Sequence, residues 1–332
     1  MHILRVDDRP SSVLSEAEFD LFICASGYES RSTFIFELMA NEGKFRSVLA
    51  LGFEKSCQQE WRARNDELFA RDGVEISLVL EDQEQSIFEL LEKAVPVFST
   101  VRLLVDYSSM PRRWINAIVN FFKFNQGLEH VEVFFVYSMG SHIERSVVPE
   151  YPESDYQISS IESLTTLEGA AVRQKRTMAI VGLGFEWIAP FAACELMEPD
   201  DVLAFYGEPG SLPDYGERAL GINSRFIDEF CRDEAPIPLS VRSVEHTYRI
   251  LGELAAPAIS SRNVALVPLG PKTHVLACIL VANRLPEVTC IYVQGSRERV
   301  QQVEAVGKES VVVTSVQWIA ASGQAGDLVA LD

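Results

Sequence analysis

Apolar runs of five to eight residues alternate along this chain with segments of about 11 to 15 residues whose apolar positions recur every three to four. The runs LFICA, VLAL, RLLV, VFFV, MAIV and CIYV show no apolar/polar alternation. A strand that is apolar throughout is covered on both faces, as in a parallel sheet flanked by helices. The pattern predicts strands near 19–25, 46–52, 74–80, 101–106 and 131–137, with helices near 29–41, 57–71, 84–95 and 112–126. It predicts strands again near 177–182, 201–206, 238–242, 263–268 and 288–293, with helices near 186–197, 223–234, 245–256 and 272–284. Strand–helix–strand repetition of this kind gives right-handed crossovers and a doubly wound α/β sheet.

The two halves share landmarks in the same order. FDLFICASGYESRSTFIFELM (19–39) and TMAIVGLGFEWIAPFAACELM (177–197) each run strand, Gly-aromatic-Glu, helix. Second strands follow in RSVLALGFE and DVLAFYGE. VDYSSMPRRWINAI (105–118) and LVPLGPKTHVLACI (266–279) then repeat a strand, a small-residue turn, Pro-cation and a helix. Gly27 precedes Pro111 by 84 residues, and Gly184 precedes Pro271 by 87. The expected fold is therefore two tandem Rossmann-like units related by internal duplication, over 1–140 and 177–296. A linker is expected over 141–176. A C-terminal tail is expected over 297–332, with a short helix near 297–306 and a strand near 310–313.

Composition narrows the function classes. The chain has 332 residues, length for about two domains. It carries 48 acidic and 29 basic residues, a net charge of −19, with no Lys/Arg cluster of five or more. A protein that tracks a polyphosphate backbone presents a basic face, so long nucleic acid is not an expected partner. No apolar run is long enough to span a bilayer and the N-terminus has no secretory pattern. Six scattered cysteines form no metal or disulfide spacing and fit a reduced, cytoplasmic protein. Cys57 opens a helix-like segment, but no histidine stands near it in sequence.

Candidate chemistry sits where an open parallel sheet places it, outside the carboxyl ends of strands one and four. Helix N-termini there offer unpaired amides and a positive dipole end to anions. The candidate ligand-binding residues are Gly27, Ser30, Arg31, Ser109 and Arg112 in the first unit, and Gly184, Gly270, Lys272 and His274 in the second. Structural alternatives stand beside each: Ser109 as a helix cap, Arg31 paired to Glu29, His274 as a first-turn surface residue. Asp106 ends a buried strand and needs a partner or a role. If the protein is an enzyme, Asp106 with Ser108 is the expected catalytic pair, and the second unit, with Pro268 nearby, lacks it. GLGFEW is not a complete GxGxxG fingerprint, and no GxxxxGK[ST] occurs, so no nicotinamide or P-loop cofactor is expected.

The strand–Gly turn–helix, followed by VDYSSMPRRWINAI and more loosely LVPLGPKTHVLACI, resembles the CARF-type Rossmann-like ligand-binding domains of bacterial CRISPR and antiphage systems, including the fused double copies in SAVED domains. That resemblance covers the two α/β cores. It implies that the strand-one and strand-four loops cradle a cyclic oligonucleotide across a pseudo-twofold. The family's GG[TS]K core is replaced here by SSMPR and LGPK. The expected function is a sensor or accessory protein for a small nucleotide-type anion, acting through a protein partner or a homo-oligomer. The alternatives are a nucleotide-metabolising glycosidase or transferase using Asp106, and a protein-interaction scaffold.

Overall fold

The structure is a computed structural model and describes residues 1–40, 42–54, 60–80, 82–98, 100–142, 156–231, 234–297 and 303–320. The first lobe contains β1 (His2–Arg9), α1 (Val13–Glu16), β2 (Leu21–Ser26), a 3-10 turn (Ser30–Thr33) leading into α2 (Phe34–Ala40), and β3 (Val48–Phe53). It continues with α3 (Glu60–Arg71), β4 (Ile76–Val79), α4 (Glu84–Ala94), β5 (Thr100–Asp106), α5 (Arg112–Phe124) and β6 (His130–Ser138). After β7 (Gly140–His142), the second lobe runs β8 (Tyr156–Ser163), β9 (Arg176–Leu183), α6 (Ile188–Met197), β10 (Asp201–Gly207), α7 (Tyr215–Ile222) and α8 (Ser224–Phe230). It closes with β11 (Ile237–Leu239), α9 (Val244–Ala258), β12 (Arg262–Pro268), α10 (Lys272–Arg284) and β13 (Thr289–Arg297). β14 (Val303–Ala305) and β15 (Val311–Ile319) follow.

The protein is α/β, with two mixed sheets. The seven-stranded sheet has the order β1-β15-β6-β5-β2-β3-β4, and the six-stranded sheet the order β11-β10-β9-β12-β13-β8. The run β6-β5-β2-β3-β4 is parallel throughout, as is β13-β12-β9-β10-β11. Both parallel runs therefore have the same strand order. In each, the winding reverses between its first and fourth strands: β2 and β5 in one lobe, β9 and β12 in the other.

The expected tail behaves differently. Residues 311–319 pair antiparallel with both β6 and β1, so β15 lies inside the first sheet. The expected helix near 297–306 is not formed at 303–305, which pair with β7 instead; residues 298–302 lie outside the described residues. Residues 156–163 of the expected linker form β8 on the edge of the second sheet, antiparallel to β13. The reading of Cys57 and residues 143–155 of the expected linker fall outside the described residues.

The lobes meet through the helices that follow their fourth strands. α5 packs against α10, with α4 and α9 alongside. Residues 273 to 283 of α10 are all buried, because one side faces its own sheet and the other faces α5. That explains KTHVLACILVAN, a helix apolar on nearly every side. A single apolar core runs from Leu103 through Ile118 and Phe122, across Leu276 and Leu280, to Leu266. Polar clasps edge it. Asn283 Nδ2 donates to Asn120 Oδ1 at 3.3 Å, and Lys123 Nζ to the Asn283 carbonyl at 3.1 Å. Arg113 pairs with Glu162 and Glu84. Asp8 on β1 caps α9 of the other lobe: its carboxylate accepts from the Val244 and Glu245 amides and the Ser243 and Thr314 hydroxyls.

Candidate functional site

The two Pro-cation corners adopt nearly the same backbone. Pro111 has φ −70° and ψ 160°, and Pro271 has φ −62° and ψ 155°. Both prolines occupy the capping position, so Arg112 and Lys272 are the first helical residues rather than the second. A cation is unfavourable there, because the helix dipole presents its positive end. Something other than helix preference places a cation at both positions.

Within the first lobe the strand-one and strand-four loops touch directly. The Gly27 amide donates to Ser32 Oγ at 2.9 Å, and Ser32 Oγ bonds Ser109 Oγ at 2.9 Å. A Cβ at Gly27 would lie 2.6 Å from Ser32 Oγ and 2.9 Å from Ser109 Cβ, so the glycine is required by close approach. In the second lobe a Cβ at Gly184 would lie 2.6 Å from the Leu269 carbonyl oxygen and 3.3 Å from Gly270 Cα. In each lobe the two loops thus approach closely at this glycine. The asparagines behind them correspond too: Asn65 Nδ2 donates to the Gly27 carbonyl at 2.9 Å, and Asn223 Nδ2 to the Gly184 carbonyl at 2.8 Å. These asparagines were missed in the sequence, although they stand 38 and 39 residues beyond their glycines.

The corners converge at the lobe boundary. Lys272 Nζ crosses from α10 to donate to the Ser108 carbonyl at 2.6 Å. The ammonium lies in the fields of Glu29, Arg31, Asp106 and Arg112. Asp106 is 2% exposed, and its Oδ1 accepts from the Ser108 amide at 3.0 Å. Ser108 Oγ accepts from the Ser138 amide at 2.8 Å, which holds the loop against β6. Arg31 is also committed: Nε bonds Glu29 Oε2 at 2.6 Å, and Nη1 bonds the Ser138 carbonyl at 3.1 Å and the Tyr137 hydroxyl at 3.3 Å. Ser30 Oγ bonds the Val303 carbonyl at 3.3 Å. Arg112 is half-buried and makes no hydrogen bond or ion pair among the described residues.

Burial shifts the central groups toward neutrality. Asp106 is pushed up to about 6 by loss of solvent, with Ser108, Arg31 and Lys272 opposing. Lys272 is brought down to about 7, first by burial, then by the Arg31 and Arg112 charges, while Glu29 and Asp106 resist. Burial works against the Arg31 guanidinium, but Tyr137 and Glu29 outweigh it and raise its pKa. An acid near 6 beside an amine near 7 is an arrangement that concentrates at functional sites.

His274 stands apart from this cluster. It is fully buried and lowered to about 4 by burial. Its ring lies 5.4 Å from Phe205, with the Leu239 and Ser240 carbonyls nearest and neither ring nitrogen in a hydrogen bond of good geometry. The corresponding third residue of α5, Trp114, stacks on Phe53 of its own second strand at 4.5 Å. Both positions hold a flat ring under the corner. His274 is a core residue of the second lobe, not the surface or cap residue its first-turn position suggests.

No family model and no curated protein matches the chain. Distant likenesses among solved structures include two. One is M. capricolum TrmK in complex with S-adenosyl-homocysteine, at 11% identity and TM-score 0.23, matching 41% of this chain. This chain spans 62% of that protein's length. The other is the cytoplasmic domain of a prokaryotic cation chloride cotransporter, at 12% identity and TM-score 0.22, covering 82% of this chain and 94% of that one. At these TM-scores neither likeness bears on function. Among the described residues no helix is long and apolar enough to cross a membrane.

Proposed function

We propose that the chain is a binding protein for a small nucleotide-type anion, held at the lobe boundary by Arg112 and Lys272. Supporting this is the meeting of two guanidinium groups (Arg31, Arg112) and two carboxylates (Glu29, Asp106) around the Lys272 amine, with Arg112 uncommitted among the described residues. The duplicated corner has a physical rationale on this reading. Each lobe brings one cation to a shared boundary, against the preference of its own helix terminus. The common strand order of the two parallel runs supports descent of the lobes from one duplicated Rossmann-like unit. Following the CARF and SAVED resemblance, the protein serves as a cytoplasmic sensor or accessory in bacterial antiphage defence and signals through a partner protein or self-association.

The test is a thermal-shift panel of nucleotides, cyclic dinucleotides and cyclic oligoadenylates, with mass spectrometry of each ligand afterwards. A ligand that binds only the native state raises the melting temperature. Arg112→Ala combined with Lys272→Ala is expected to abolish that rise while leaving a folded protein. Undiminished binding by the folded double variant overturns the proposal. The Asp106 pKa near 6 favours a second reading, acid–base turnover of the bound nucleotide, and consumption of a ligand by the wild type would select it.

A further inference from the structure

Lys272 differs from every other described lysine. Lys123 and Lys175 also donate to carbonyls, of Asn283 and Ile259, whereas Lys272 does so in the fields of Glu29, Arg31, Asp106 and Arg112. Lys272 projects from the first turn of a helix, beside the charges of Arg31 and Arg112, and its one side-chain hydrogen bond among the described residues runs to the Ser108 carbonyl. That bond uses a single N–H, so the lone pair of the neutral amine remains available. Asp106, buried and bonded to the Ser108 amide, belongs to the same cluster. An amine, a buried carboxyl group and a guanidinium uncommitted among the described residues thus share the surroundings of Ser108, the groups that amine nucleophilic chemistry uses.

We propose that Lys272 condenses reversibly with small anionic carbonyl compounds, aldehydes or 2-oxo acids whose charged group is recruited by Arg112. The inference rests on the anion-binding reading of this same boundary. The amine lone pair attacks the carbonyl carbon and the C=O π pair moves to oxygen. A proton passes from nitrogen to that oxygen through Asp106, giving a carbinolamine. Asp106 then carries the remaining N–H proton to that hydroxyl, which leaves as water as the nitrogen lone pair forms the C=N bond, giving an imine at Lys272. Water reverses each step, and no electrons leave the pair of reactants. The amine's shift to about 7 agrees with this chemistry, since about half is neutral at pH 7 against roughly one part in 2,500 for an ordinary lysine.

The experiment uses the full chain at pH 7 with pyridoxal 5′-phosphate as the anionic aldehyde, trapped with borohydride and located by peptide mass mapping. The expected result is modification of Lys272 at least about tenfold above any other described lysine, with an apparent midpoint near pH 7. Lys272→Arg keeps the charge and is expected to remove that label. Lys123→Arg is expected to leave it in place. Label spread over lysines according to exposure, or a total unchanged by Lys272→Arg in a folded variant, overturns the inference. Nucleotide binding that persists without selective labelling sinks the imine alone. Selective labelling in a protein that binds no member of the nucleotide panel supports the imine and removes the nucleotide reading.

Discussion

Replacing Lys272 by methionine is expected to stabilise the protein at pH 6 and to change little near pH 10. The amine is held at about 7 rather than 10.5, and each unit corresponds to about 1.4 kcal/mol. The full penalty for its charged form is thus on the order of 5 kcal/mol. Partial exposure at the boundary reduces that figure. Loss of the 2.6 Å hydrogen bond to the Ser108 carbonyl removes about 1 kcal/mol more. A gain of about 1–3 kcal/mol at pH 6 remains. The sign follows from proton counting. Between pH 7 and 10.5 the unfolded chain binds a proton that the folded chain lacks, so wild-type stability rises with pH across that window. Methionine has no proton to exchange, so the variant's profile is flatter there. Denaturant unfolding followed by tryptophan fluorescence at pH 6, 7.5 and 9 measures both effects, with buried Trp114 and Trp318 as reporters. A variant less stable than wild type at pH 6, or a difference that does not shrink toward pH 10, would refute the reasoning. Lys272 would then be a structural ion-pair partner.

Gly52→Ala is expected to lower stability by about 2–4 kcal/mol, because its Cβ would lie 2.3 Å from Nη2 of the fully buried Arg62. That guanidinium is fixed by Asp66 at 2.7 Å and the Phe53 carbonyl at 2.8 Å and has no room to retreat; a melting temperature within 1 °C of wild type contradicts the packing. Asn65→Ala and Asn223→Ala are each expected to cost about 1–3 kcal/mol, since each leaves a buried glycine carbonyl without its side-chain donor. Calorimetry showing one loss large and the other negligible would break the equivalence of the two positions.

The parallel strands were legible because burial on both faces leaves a plain signature, as in LFICA and VFFV. The Gly27 and Gly184 turns and the paired Pro-cation corners were legible because the same local geometry demands the same residues twice. β1 was not legible. HILRVDDR buries only Val6 and otherwise resembles a charged surface segment, and its strand identity comes from β15, far away in the chain. VVVTSVQWI showed apolar character but no sign of which sheet it joins. The reach of Lys272 to Ser108 depends on how the lobes dock, and no local pattern encodes that. The burial of His274 comes instead from its own lobe, where the ring packs on Phe205 of β10. As a first-turn histidine after Pro-Lys it suggested the surface, yet α10 is enclosed by its own sheet and by α5.

The antiparallel pairing of His2 with Ile319 also sets an order of events during synthesis. β1 leaves the ribosome first, but its sheet partner among the described residues, β15, is made after the whole second lobe. At about 5–20 residues per second that interval is on the order of tens of seconds. Once made, β6 presents an open edge for the rest of that interval, and β1 lacks its sheet neighbour throughout it. The second lobe has its parallel strands in hand earlier and is free to assemble before the first is finished. A nascent chain stalled before residue 311 would therefore carry a completed later lobe and an unfinished earlier one, with an exposed strand edge suited to chaperone capture or mispairing.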